Sequence, residues 1–157
     1  RFAKGLPVVL CAAVTMQAAE AIRIHPHYLA FFNTISGGPA RGPAYLVDSN
    51  LDWGQDLKNL KKWIAAHGNP PMCVSYFGAP GPSFYGGGAP IPATWDASGR
   101  ANLNCIVAVS ATVLQDVYVE PGRHQWLREL RPMDNVGYSI YLYDCRKNAL
   151  PPPLPAP

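Results

Sequence analysis

Residues 45–64 read YLVDSNLDWGQDLKNLKKWI, and their interpretation decides which fold the chain can adopt. Tyr45 to Asp48 reads as the end of a strand. If that strand ran on, Asp48, Asn50 and Asp52 would alternate with Ser49 and Leu51 and share one acidic face. The run then turns helical, because Trp53, Leu57, Leu60 and Ile64 recur at spacings of four, three and four, with Lys58, Lys61 and Lys62 off the stripe. A strand, a polar turn and an amphipathic helix are expected in that order.

Three explanations compete for the polar residues. Asp52 followed by Gln55 has the form of a capping box, which satisfies orphan amides at a helix start and needs no function. Asp48-x-Asn50-x-Asp52 also opens like a calcium loop, but the glycine due at the sixth position is Trp53 and the glutamate due at the twelfth is Asn59. The third is a polar ligand site between the carboxyl end of a strand and the amino end of a helix. Two carboxylates there suit sugar hydroxyls or a cation better than a phosphate.

Downstream, Gly68 is the expected helix stop with Pro70-Pro71 beyond it, and MCVSYF at 72–77 reads as a buried strand, completing a β-α-β start. Residues 78–96 hold too many Gly and Pro for helix or strand. Phe84, Tyr85 and Trp95 in that loop either stack on a sugar or pin the loop to the domain. CIVAVS at 105–110 is a third strand, ATVLQDVYV a short helix and turn, and 123–130 a short helix with Trp126 and Leu130 inward. YSIYLYD at 138–144 alternates as a strand at a sheet edge. The proline-rich tail from Leu150 is extended and unpacked.

The expected fold class is therefore α/β, a small, at least partly parallel, Rossmann-like sheet of about four strands with flanking helices. Right-handed crossovers would bring the strand ends together, so the turn at 48–56 and the loop starting at 78 would share one carboxyl edge. Any ligand crevice is expected there.

The first residues differ from the rest. GLPVVLCAAVTM at 5–16 carries no charge and follows Arg1 and Lys4. A signal peptide, with Ala19-Glu20-Ala21 as its cleavage site, and the end of a transmembrane helix both fit. Either one puts the residues after Arg23 outside the cytoplasm, and under the positive-inside rule Arg1 and Lys4 are cytoplasmic. The start at Arg1 suggests sequence lost upstream. Residues 25–33, HPHYLAFFN, have the rings and histidines of a membrane-interface segment, which accounts for His25 and His27 without a metal.

A formal charge of +3 over 157 residues, with no dense basic cluster, leaves no electrostatic footprint for nucleic acid. Of the four cysteines, Cys73 and Cys105 sit near the starts of strands that would be adjacent if parallel. An oxidising compartment permits a bridge between them, although buried free cysteines are also common in strands. No spacing matches a zinc site or a redox pair.

Taken together, the run from His25 to Ile64 with DSNLDWGQDL at its centre, then SYFG, PSFYGGG, VAVSATVLQ, WLREL and VGYSIYLYD in that order, resembles a known family. The similarity is to the C-terminal region of bacterial phospholipid-carrier-dependent membrane glycosyltransferases, relatives of protein O-mannosyltransferases, and covers about Arg23 to Asp144. It implies that 1–24 end the last transmembrane helix in the bacterial inner membrane, 25–148 form a periplasmic α/β domain, and 149–157 are a disordered tail. It also implies transfer of a sugar from a polyprenyl-phosphate carrier to a glycan or protein acceptor, with membrane lipid and lipid-linked sugar as partners. The catalytic acidic residue of such enzymes lies in an earlier extracytoplasmic loop, so no catalytic residue is assigned here. The expected contribution is to cap the active site and bind substrate through Asp48, Asn50, Asp52, Trp53, Gln55, Asp56 and Tyr85. No cofactor is expected in these residues, and a divalent cation is compatible with the full-length enzyme. The alternative is an exported, non-catalytic module that binds glycan or protein.

Overall fold

IVAVS, apolar on both faces of a strand, belongs in the middle of a sheet, and in the computed structural model every residue of Ile106–Ser110 is buried. The structure describes residues 2–48, 51–78, 89–90 and 104–146. In chain order its regular elements are α1 (Phe2–Ile24), α2 (Leu57–Ala66), β1 (Met72–Ser75), β2 (Ala89–Pro90), β3 (Ile106–Ser110), α3 (Ala111–Leu114), α4 (Gln125–Arg128), β4 (Asp134–Val136) and β5 (Ile140–Asp144). Three 3-10 turns, at Tyr28–Ala30, Thr34–Ser36 and Pro39–Ala44, separate α1 from the rest.

The strands form one mixed sheet in the order β2-β1-β3-β5-β4, with β2 only two residues long. β1 is parallel to both β2 and β3, while β5 is antiparallel to β3 and β4. Alternation along the strands splits the core in two. Met72, Val74, Ile106, Ala108 and Leu142 meet Leu57, Leu60 and Ile64 of α2 on one face. On the other, Val107, Val109 and Tyr143 meet Val113, Leu114, Trp126 and Leu127 from α3 and α4. The result is a helix layer on each face of the sheet, the α/β class expected, plus one apolar N-terminal helix.

Several details differ from the sequence expectation. No strand forms at 44–48: Pro39–Ala44 is a 3-10 turn and the chain continues irregularly to Asp48, so β-α-β does not begin the domain. Tyr45, Leu46 and Val47 have strand-like propensity but find no partner in the sheet. Asp48 and Asp52 consequently share no strand face. β5 is not an edge strand, because the unforeseen β4 covers its outer side. The loop expected to carry no strand includes the short pairing of Ala89–Pro90 with β1. Asn50, Phe84, Tyr85, Trp95 and the tail from 147 lie outside the described residues.

Helix α2 keeps the stripe of Leu57, Leu60 and Ile64, with Lys58, Lys61 and Lys62 exposed. Trp53 does not belong to it: it precedes the helix and is 56% exposed. The bridge between Cys73 and Cys105 is formed, its Cα atoms 5.8 Å apart across the parallel β1 and β3 pair.

Candidate carbohydrate-facing edge

The carboxyl ends of β1 and β3 are where the two parallel strands stop together. Beyond β1 the chain continues through Tyr76, Phe77 and Gly78, and beyond β3 it enters α3 directly. Side-chain hydroxyls tie these exits to their neighbours: the Phe77 amide donates to Ser110 Oγ at 3.0 Å, and the Asp48 amide donates to Thr112 Oγ1 at 2.9 Å. The polar turn at 48–56 is thereby fixed at this edge, as expected.

Asp48 has left-handed backbone, φ 63°, and its carbonyl accepts from the amides of both Leu51 and Asp52 at 2.9 Å. This tight turn buries Leu51 fully, against Ala30 and Ala111. Asp48 Oδ2 accepts from the Tyr118 hydroxyl at 2.7 Å, and that bond, with the carboxylate charge, raises the phenol pKa above its ordinary value. The Tyr118 ring, itself on left-handed backbone at φ 65°, stacks on Phe77 with centroids 5.4 Å apart and planes 12° apart. The Trp53 ring is tilted at 50° to Phe77 with centroids 6.3 Å apart. Tyr118 is 72% exposed, so Trp53, Phe77 and Tyr118 make a solvent-facing aromatic shelf with the Asp48 carboxylate at its rim.

Asp52 lies behind the shelf and is fully buried. Its Oδ1 accepts from the Gly54 amide at 3.2 Å, while Oδ2 has no hydrogen-bond partner among the described residues. Burial raises its pKa and the nearby charge of Asp56 adds to the effect, against bonds from Ser110, Gly54 and Thr112. The capping box is not made. Gln55 Oε1 accepts from the Trp53 amide at 2.8 Å, Gln55 Nε2 donates to Leu51 O at 3.0 Å, and Asp56 occupies the cap position without a side-chain cap. The extra turn between Asp52 and Leu57 moves the helix start beyond the reach of Asp52.

Asp56 turns away from the shelf. Its oxygens accept from Asn59 Nδ2 and Ser139 Oγ, both at 2.8 Å, and His27 Nδ1 lies 3.6 Å away. Gly137, left-handed at φ 64°, packs so closely on this carboxyl that a Cβ would overlap it. A cavity of about 380 Å³ opens here between His27, Asp56 and Asn59. Another of about 300 Å³ lies between the end of α1 and residues 31–40. These concavities are on the α1 side of the domain, whereas the shelf is an open surface.

The motif at 48–56 is therefore divided. Asp48 and Trp53 belong to the shelf, Asp52 is buried, Gln55 closes the turn on itself, and Asp56 ties it to Asn59 of α2 and to Ser139 just before β5. Phe77 and Tyr118 were not singled out from sequence, although both follow closely on the carboxyl ends of strands β1 and β3. Rings over which the CH face of a sugar can lie, beside a carboxylate that accepts from hydroxyls, are the components by which proteins hold pyranoses. No group of three or more His, Cys, Asp or Glu side chains among the described residues is arranged to hold a metal. No protein-family model, curated protein or solved structure matches this chain.

Proposed function

We propose that this chain is the extracytoplasmic C-terminal domain of a bacterial membrane glycosyltransferase that moves a sugar from a polyprenyl-phosphate carrier to a glycan or protein acceptor. Helix α1 is then its last transmembrane helix, and the domain lies in the periplasm over the membrane-embedded reaction centre. Catalysis is assigned to loops outside these residues. The role of the domain is to hold the sugar or the acceptor at the shelf of Trp53, Phe77 and Tyr118, with Asp48 accepting from a hydroxyl.

The observation that supports this most is the shelf itself, the exposed rings of Trp53 and Tyr118 set against the half-buried ring of Phe77 at the carboxyl edge of two parallel strands. The Gly5–Ile24 helix, 20 residues at mean hydropathy 1.6 with none of its apolar window buried, is long and apolar enough to cross a membrane. Cys73–Cys105 is the pairing an oxidising compartment permits.

The test is transfer by membranes containing the full-length gene product, supplied with polyprenyl-phosphate mannose or polyprenyl-phosphate glucose. Release of sugar from either carrier to acceptor supports the reading. A gene product that is cut after Ala21, binds glycan and transfers nothing is instead the exported module.

A further inference from the structure

Thr34 lies ten residues beyond the end of α1, yet its amide donates to Glu20 Oε1 at 3.0 Å. Glu20 is one helical turn before Ile24, about 6 Å back along the axis, and helical side chains tilt further toward the N-terminus. The chain has thus doubled back beside α1. The hook is closed on itself: Asn33 Oδ1 accepts from the Ser36 amide at 2.9 Å, and the Gly38 amide donates to Asn33 O at 3.0 Å. Ile35, next to the Glu20 contact, is 87% exposed.

One exposed isoleucine is ordinary on a protein surface, and a cluster of exposed apolar side chains is not. The pattern extends beyond one residue. Tyr28, Leu29, Tyr45 and Leu46 are also exposed, and Phe32 stacks on Tyr45 at 6.3 Å, so the flanks of the hook gather around the same end of α1. Leu10, Val14, Met16 and Ile22 of α1 are exposed as well. Arg41 packs its stem across Gly37, and Arg23 lines the cavity between hook and helix. Apolar tips with arginines set behind them match a bilayer boundary, where the tips enter acyl chains and the cations meet headgroup phosphates.

We propose that the hook at residues 33–38 is seated in the lipid bilayer, with Ile35 at the acyl boundary, clamping the soluble domain against the membrane instead of leaving it on a free stalk. The proposal rests on the part of the functional reading that keeps α1 in the membrane. It does not depend on sugar transfer.

The test uses the intact chain carrying Cys11→Ser, in vesicles of phosphatidylethanolamine and phosphatidylglycerol. Cys145 is buried and does not compete for label. A nitroxide is attached at Ile35→Cys or, as the water-facing control, at Lys61→Cys, and relaxation by oxygen and by a nickel chelate is compared. The expected result is an oxygen-to-nickel accessibility ratio severalfold higher at 35 than at 61. Equal ratios overturn the proposal, as does a label at 35 shielded from both reagents, which means that protein covers the hook. Intact mass showing cleavage after Ala21 overturns this proposal and the transferase reading together. Absent sugar transfer with a high ratio at 35 leaves this one standing.

Discussion

The Tyr118 hydroxyl donates to Asp48 Oδ2 at 2.7 Å across a sequence separation of 70 residues, joining the turn before α2 to the loop after α3. Both residues hold left-handed backbone, an arrangement that costs energy and persists only where surrounding contacts enforce it. The bond orients the outer ring of the shelf. It follows that the Tyr118 phenol titrates above the ordinary tyrosine value and returns toward it in Asp48→Asn. Ring-carbon shifts of labelled tyrosine, followed by NMR against pH, read this directly, and a Tyr118 titration insensitive to Asp48→Asn would remove the bond from solution.

Gly137, in the turn between β4 and β5, packs directly on the Asp56 carboxyl at the end of the 48–56 turn. In Gly137→Ala the new Cβ meets the Asp56 carboxyl and the backbone stays left-handed. The expected loss is about 2–5 kcal/mol, the left-handed penalty plus the displaced buried bonds to Ser139 and Asn59. Denaturant midpoints of the two proteins measure it.

The Cys73–Cys105 bridge closes a loop with a sequence separation of 32. Constraint of the unfolded chain over that length contributes about 3–4 kcal/mol. The Cys73→Ala, Cys105→Ala double variant should lose that much stability, and alkylation followed by mass spectrometry should find both thiols protected in the native protein.

Acid should destabilise the domain through Asp116 and His124. Burial lowers the pKa of His124 against the opposing pull of Asp116, to which its Nδ1–H donates at 2.8 Å. Burial of Asp116 raises its pKa, but bonds from Arg128 and His124 outweigh that and hold it below the usual carboxylate range. Both pKa values are depressed in the fold, so the unfolded chain takes up more protons as pH falls. The stability they contribute is complete above the ordinary histidine value of about 6.5 and is lost below it, first through His124 and then through Asp116 near pH 4. Asp52, raised in the fold, has the opposite sign and softens the second step. Thermal midpoints measured from pH 7.5 to 4 should fall, and His124→Gln should remove the first part of the fall.

Much of the fold is legible in the sequence because it depends on periodicity. The α2 stripe and the buried IVAVS strand follow from local pattern, since burial on one or both faces leaves a direct trace, whereas the choice between a Cys73–Cys105 bridge and free thiols stayed open until the parallel pairing of β1 and β3 decided it. The strand expected at 44–48 failed because Tyr45, Leu46 and Val47 have strand-like propensity but gain no sheet partner. Tyr45 and Leu46 are exposed instead, and Val47 packs beside Leu51 and Ala30, a tertiary outcome. The capping box failed for a related reason: Asp52 and Gln55 have the right spacing, but the turn is one residue group longer than the motif assumes. Of the site, Asp48 and Trp53 could be read from their place between strand-like and helical patterns. Phe77 and Tyr118 could not, because their meeting depends on the left-handed residues Asp116 and Tyr118, which no composition rule marks.

If the aromatic shelf holds sugar for transfer, as proposed, steady-state transfer by the full-length gene product carrying Trp53→Ala and Tyr118→Ala together reads that role. Both side chains are largely exposed, so the fold should survive, which an unchanged thermal midpoint and intact Cys73–Cys105 bridge would verify. Loss of two stacking surfaces should lower kcat/KM by about tenfold or more, at ~1.4 kcal/mol per tenfold. Unchanged kcat/KM in a folded double variant would remove the shelf from sugar binding.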